Sequence, residues 1–169
     1  MVKELVTTTD DAYASLWQFC LDMDLVTDIT AGKRAADEPL PWLLADPRRL
    51  KQTFKDASWI RIVDVPAGLS ARTYSTDDGL VIQVHDPFLD WNDGRVLLEG
   101  GPAGAECKQT DREPDLTLSA SDLGAAYLGG VKFQTMSHAG RVEENTPGAL
   151  RRADAMFATD LMPWCIDSW

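Results

Sequence analysis

"DLTLSASDLGAAYLGG", residues 115–130, is the stretch on which the fold turns. Its opening, "DLTLS", reads as a strand. From Ser119 onward the reading changes to a helix: Ser119 and Asp122 stand at capping-box spacing, and Gly129 supplies a C-terminal stop. Strands therefore precede this point and helices follow it, a segregation that means α+β.

Upstream lie further strand candidates. "WIRIVDV" (59–65) is strand-like; Pro66 then opens a short helix, "PAGLSAR", and "DDG" at 77–79 supplies a turn before "LVIQVHD". "DWNDG" (90–94) turns the chain into "RVLLE", the loop "GGPAG" follows, and "AECKQT" precedes the pivotal stretch. Together these predict one mainly antiparallel sheet. Downstream, "KFQTMSHAG" and "TPGALRRADAMFATD" read as helices, the second with Pro147 in its first turn.

Residues 1–58 are organised differently. "VKELVT" (2–7) and "LVTDIT" (25–30) read as strands flanking a helix in which Thr8 and Asp11 have capping spacing and Tyr13, Leu16, Trp17, Cys20 and Leu21 share one face. This β-α-β unit is too small to stand alone. A charged, Pro-containing link follows, then a short helix around "DPRRLKQTF" with Asp46 as cap and Pro47 in its first turn.

The bulk numbers bound the function. A chain of 169 residues with 44% hydrophobic content buries about 70% of its unfolded surface. No apolar run reaches the ~20 residues of a membrane span, and the N-terminus turns acidic too early for a secretion signal, so a soluble, cytoplasmic protein is expected. A formal charge of −11 repels phosphate backbones and makes nucleic acid a poor partner, while suiting cationic small molecules. Cys20, Cys107 and Cys165 form neither a disulfide framework nor a metal half-site, and no metal ligand set is read elsewhere.

Catalytic patterns are sparse. In "DWNDG", Gly94 is the fifth residue from Asp90 where a calcium loop needs the sixth, so a tight turn is expected. "GLSAR" (68–72) lacks the second glycine of a nucleophile elbow, and "GGPAGA" (100–105) leads into a strand instead of a phosphate-binding helix. His85 with Asp86 lacks a nucleophile, and His138 has no close acidic neighbour. Asp77/Asp78 and Glu143/Glu144 fall where turns and solvated faces are expected.

The blocks "LLADPRRL", "WIRIVDVPAGLSARTY" and "DLTLSASDLGAAYLGG", with the ending "PWC…W", resemble the C-terminal part of the enhanced intracellular survival acetyltransferases, a GNAT family of actinobacteria. The resemblance runs over essentially the whole chain. It implies that residues 1–58 are the closing β-α-β of a GNAT-like domain plus linker, and that residues 59–169 are a sterol carrier protein 2-like domain. The acetyl-CoA-binding domain of the family has no counterpart here: no R/Q-x-x-G-x-G/A loop occurs, so acetyl-CoA is expected for the complete family protein and not for this chain. The general-acid tyrosine belongs to that same absent domain and is not transferred to Tyr13, Tyr74 or Tyr127. By resemblance, Trp169 offers its α-carboxylate as general base on an incoming amine, and Asp167 adds negative charge for a cationic substrate.

Three functions follow as expectations. In the first, the chain is the C-terminal portion of an acetyl-CoA-dependent amine N-acetyltransferase of aminoglycoside type, partnered by a GNAT catalytic domain or subunit and not catalytic alone. In the second, residues 59–169 are an autonomous carrier with an apolar cavity for a lipid or small hydrophobe. In the third, the chain is a structural or oligomerisation module in which the β-α-β segment pairs its open sheet edge with another chain.

Overall fold

The computed structural model describes residues 1–56 and 58–166. They form two compact units, one comprising residues 1–56 with 164–166 and the other residues 58–163.

In the first unit, helix α1 (Asp10–Leu21) begins at Thr9, whose hydroxyl accepts from the Ala12 amide at 3.2 Å. The cap is therefore one residue later than the spacing of Thr8 and Asp11 predicts, which leaves Asp10 and Asp11 together in the first turn, where the helix dipole favours them. Trp17 is buried with Tyr13 edge-on to it at 6.4 Å, but Leu16 and Leu21 of the expected apolar face are exposed. The two flanking strands reduce to a single parallel bridge between Val2 and Ala31, because two short segments bury too little to extend a ladder by themselves. Helix α2 (Leu40–Leu43) was not legible in the link. The helix expected around "DPRRLKQTF" is only a 3-10 turn, Pro47–Arg49, capped by Asp46; Lys51, Gln52 and Phe54 beyond it are exposed and give a longer helix nothing to pack against.

In the second unit, α3 (Val65–Ser70) starts at Asp64, whose carboxylate accepts from Ala67 at 2.9 Å, with Pro66 in the first turn. Strands β1 (Asp78–His85), β2 (Gly94–Gly101), β3 (Gly104–Gln109) and β4 (Leu116–Ser119) follow, then α4 (Ala120–Ala126), α5 (Phe133–His138), β5 (Val142–Glu144) and α6 (Ala149–Phe157). The sheet order is β3-β2-β1-β4-β5; every pair is antiparallel except β1 with β4. One face of the sheet carries Leu80, Ile82, Val84, Val96, Leu98, Leu116 and Leu118, all buried, and the helices cover it with Leu69, Leu123, Phe133, Met156 and Phe157.

Several expectations change here. Residues 59–64 are not a strand. Asn92 donates to the carbonyls of Ile62 and Val63 and accepts from Val65 N, and Trp91 Nε1 donates to Val63 O, so side chains satisfy this backbone in place of a ladder. Asp78 and Gly79 lie inside β1, paired with Gly100 and Glu99, and not in a turn. Glu143 and Glu144 belong to β5 but keep the solvent-exposed setting expected of them. Helix α6 is entered through Gly148, whose φ of 89° is the left-handed conformation that glycine permits, so Pro147 sits just before the helix.

Gly124 has a packing role. A Cβ there would lie 2.5 Å from the carbonyl oxygen of Ile60, so α4 seats the 59–64 segment through a bare backbone. Gly124→Ala is expected to lower stability by about 1–3 kcal/mol through this overlap, despite alanine's better helix propensity of ~1 kcal/mol. Urea denaturation checks this; a gain in stability would show that the segment yields without cost.

Candidate functional site

Trp169 and Asp167, the site residues drawn from the resemblance, lie outside the described residues. Of the preceding tail, Trp164 is half exposed and donates its indole N–H to the Lys33 carbonyl at 3.0 Å. That hydrogen bond belongs to the first unit. There too Arg34 joins Glu38 at 2.8 Å, donates to the Leu5 carbonyl at 3.0 Å and stands 5.9 Å from the Trp17 ring centroid. Burial pushes the Glu38 carboxyl above the usual range, against the opposing pull of the Leu40 amide, and lowers Arg34.

The remaining sequence candidates are structural. Ser70 Oγ donates to Pro66 O and accepts from Cys107 N, each at 2.8 Å, so it is not an activated nucleophile. Burial, helped by the nearby Asp64 carboxylate, pushes the Cys107 thiol up to about 12, which removes the thiolate that reactivity needs. His85 and Asp86 are adjacent in sequence but separate in partners: His85 Nδ1 faces Asp93 at 3.7 Å, whereas Asp86 turns into the interior. Asp90–Asn92 is a 3-10 turn, and Gly100–Ala105 is the tip of the β2–β3 hairpin. No helix N-terminus follows that glycine-rich tip, so these residues do not fit a coenzyme pyrophosphate. Among the described residues there is no group of three or more His, Cys, Asp or Glu side chains placed to hold a metal ion.

Two charged clusters escape sequence reading. Asp86, its side chain fully buried, accepts from Arg61 Nη2 at 2.5 Å, from the Phe88 and Leu89 amides at 3.1 Å each, and from Asn92 at 3.2 Å. Through Arg61 and Asn92 it fixes residues 61–65 against the 86–92 loop. Arg72 is enclosed by the rings of Tyr74, Phe157 and Tyr127, at 4.6, 4.7 and 5.7 Å from their centroids, and donates to the carbonyls of Tyr127 and Phe157. It therefore caps the C-terminal ends of α4 and α6, where a cation is favoured. Burial lowers its pKa, and the two tyrosines oppose the shift.

Two concavities open in the second unit. One, of about 230 Å³, has the backbone of β1 and β2 as its floor and Glu99, Arg112, Asp115 and Arg152 as its walls. The other, of about 400 Å³, lies beside Arg72, Ser75, Thr159 and Asp160. Both are polar-walled and open to solvent, unlike the enclosed apolar cavity that a lipid carrier requires.

The comparisons agree with this architecture. The family described as "Acetyltransferase (GNAT) domain" matches residues 1–62, and that described as "Sterol carrier protein domain" matches residues 65–166. An uncharacterized N-acetyltransferase of Streptomyces avermitilis is 42% identical over 97% of this chain and 40% of its own length. The N-acetyltransferase Eis of Mycobacterium tuberculosis is 35% identical over 95% of this chain and 39% of its own. The crystal structure of Eis1 from Mycobacterium abscessus superposes with a TM-score of 0.84 at 38% identity, covering 98% of this chain and 42% of that one. The chain thus spans about two-fifths of the length of these relatives. With a GNAT segment followed by a sterol carrier protein-like α+β domain, and with this identity along its length, the chain belongs to the Eis-type family of GNAT N-acetyltransferases.

Proposed function

We propose that these residues serve as the C-terminal portion of an acetyl-CoA-dependent N-acetyltransferase acting on cationic amines of the aminoglycoside type. Residues 1–58 close a GNAT-like sheet and link it onward, and residues 59–169 form the sterol carrier protein-like scaffold and a wall of the substrate site. The supporting observation is the tandem match, GNAT over 1–62 and sterol carrier protein over 65–166, in a chain 42% identical to an N-acetyltransferase. The acidity of the chain, −11 formally, favours a cationic acceptor.

Within this reading the α-carboxylate of Trp169 takes a proton from the acceptor ammonium, freeing its lone pair. A carboxylate moved into a partly apolar cleft gains basicity, which suits it to that task near neutrality. Asp167 contributes attraction for a second amino group. The acetyl donor is held by a GNAT catalytic domain or partner subunit, in a cytoplasmic homo-oligomer.

The test is acetyl transfer from acetyl-CoA to an aminoglycoside such as kanamycin, followed by thiol release. The purified 169-residue chain is expected to show no turnover above background, and activity is expected when it is joined to an acetyl-CoA-binding GNAT domain. In the joined protein, deletion of Trp169 should lower kcat by about 100-fold, the usual scale of a lost general base. Turnover by the chain alone, or full activity after the deletion, would sink the assignment.

A further inference from the structure

The 230 Å³ cleft opens over the β1–β2 ladder and takes in Arg152 of α6. Strand alternation places Gly79 and Val81 of β1 on the face opposite Leu80 and Ile82, and the register sets them beside Glu99 and Leu97 of β2. A glycine inside a strand weakens it by roughly 0.5–1 kcal/mol relative to alanine, so its presence asks for a reason. Gly79 does not adopt the left-handed backbone. Nor is it crowded: a Cβ would meet the Leu98 carbonyl oxygen at 3.5 Å and Glu99 Cγ at 3.6 Å, ordinary contacts. What its missing side chain does is leave the floor of the cleft open, as glycines do where a ligand approaches backbone.

The walls divide into engaged and unengaged charges. Arg152 spans Asp78 at 3.4 Å, Asp115 at 3.2 Å and the Gly79 carbonyl at 3.1 Å, and Asp115 also accepts from the Val81 amide at 2.9 Å. These groups are engaged with one another, one guanidinium between two carboxylates. Arg112 and Glu99 carry opposite charges on the same cleft, yet among the described residues neither side chain has an ion pair or hydrogen bond. They are more than 4.0 Å apart, too far to pair directly.

We propose that this cleft binds a small zwitterion, a free amino acid or ω-amino acid, with its carboxylate on Arg112 and its ammonium on Glu99. Two opposite, unpaired charges on one cleft match a ligand carrying both charges. The cleft is smaller than the ~300–1,000 Å³ of drug-sized sites, which restricts the ligand to a few heavy atoms. Because Arg112 and Glu99 are exposed, binding is expected to be modest, with a dissociation constant of ~1 mM.

The test is an NMR titration of the whole chain with glycine, γ-aminobutyrate, 6-aminohexanoate and L-lysine, with acetate and ethylamine as single-charge controls. One zwitterion is expected to saturate, with shifts confined to the amides around 79–81 and 97–99, and each control to bind at least about tenfold more weakly. Arg112→Gln and Glu99→Gln should each weaken it about fivefold. Gly79→Ala, which fills the floor and retains both charges, should abolish saturation while preserving the amide spectrum elsewhere. Shifts that never saturate, controls that bind as well as zwitterions, or undiminished binding by folded Gly79→Ala would each overturn the proposal.

Discussion

Phe157→Ala is expected to destabilise the second unit by about 3–5 kcal/mol. Phe157 is only 2% exposed and meets Tyr74 and Phe133 edge-on, with ring centroids 5.1 and 5.0 Å away. Its ring also supports the Arg72 guanidinium. Truncation removes one of the largest buried side chains, two favourable aromatic pairs and one wall of the cation's enclosure, and the covered sheet face offers little to refill the space. Urea denaturation followed by tyrosine and tryptophan fluorescence gives the shift in midpoint. A loss below about 1 kcal/mol would mean that the helices collapse onto the vacancy.

The second large effect is Asp86→Ala, with an expected cost of about 3 kcal/mol for removing one partner from a buried, hydrogen-bonded charge. Four donors lose their acceptor, and residues 61–65 lose their tie to the 86–92 loop. The same cluster carries a pH signature. Burial alone pushes the Asp86 carboxyl upward, but the Leu89 and Phe88 amides and the Asn92 and Arg61 side chains more than reverse this and hold it below the usual range. Its contribution is therefore complete above the unfolded value of about 4 and is lost as pH falls from there toward the folded value. Asp86→Asn should remove that acid-dependent component: wild-type minus variant stability, measured between pH 6 and pH 2, is expected to shrink on acidification. A difference that stays constant would show that Asp86 does not titrate differently in the two states.

How much of this was legible in the sequence follows from the range of each interaction. Ser119 with Asp122, and Asp46 as the cap before Pro47, were read correctly because a cap and the amide it accepts from are only two or three residues apart. "WIRIVDV" misled because its apolar content resembles a strand, while its backbone partners sit on Asn92, about thirty residues on. Gly79 follows two aspartates and so reads as a turn; only the pairing with Glu99 shows it inside β1. β5 has three residues and one buried side chain, too little for any periodicity. Arg61 and Arg72 gave no local signal, since the carbonyls that receive Arg72 lie 55 and 85 positions away. The catalytic roles given to Trp169 and Asp167 rest on family likeness, because a single terminal carboxylate has no motif of its own.

The two rims of the second unit's sheet are closed to templated growth. On β3, the outward amide of Cys107 is already taken by Ser70 Oγ, and Glu106 and Lys108 place charges along the same strand. On β5 the rim is three residues long and bears Glu143 and Glu144. A foreign strand finds no long, flat, uncharged ladder to extend at either side, which guards an acidic chain rich in exposed aromatics against fibril-like stacking. Copies of this protein that do assemble through this unit must therefore meet through side-chain surfaces, not by continuing its hydrogen-bonded ribbon.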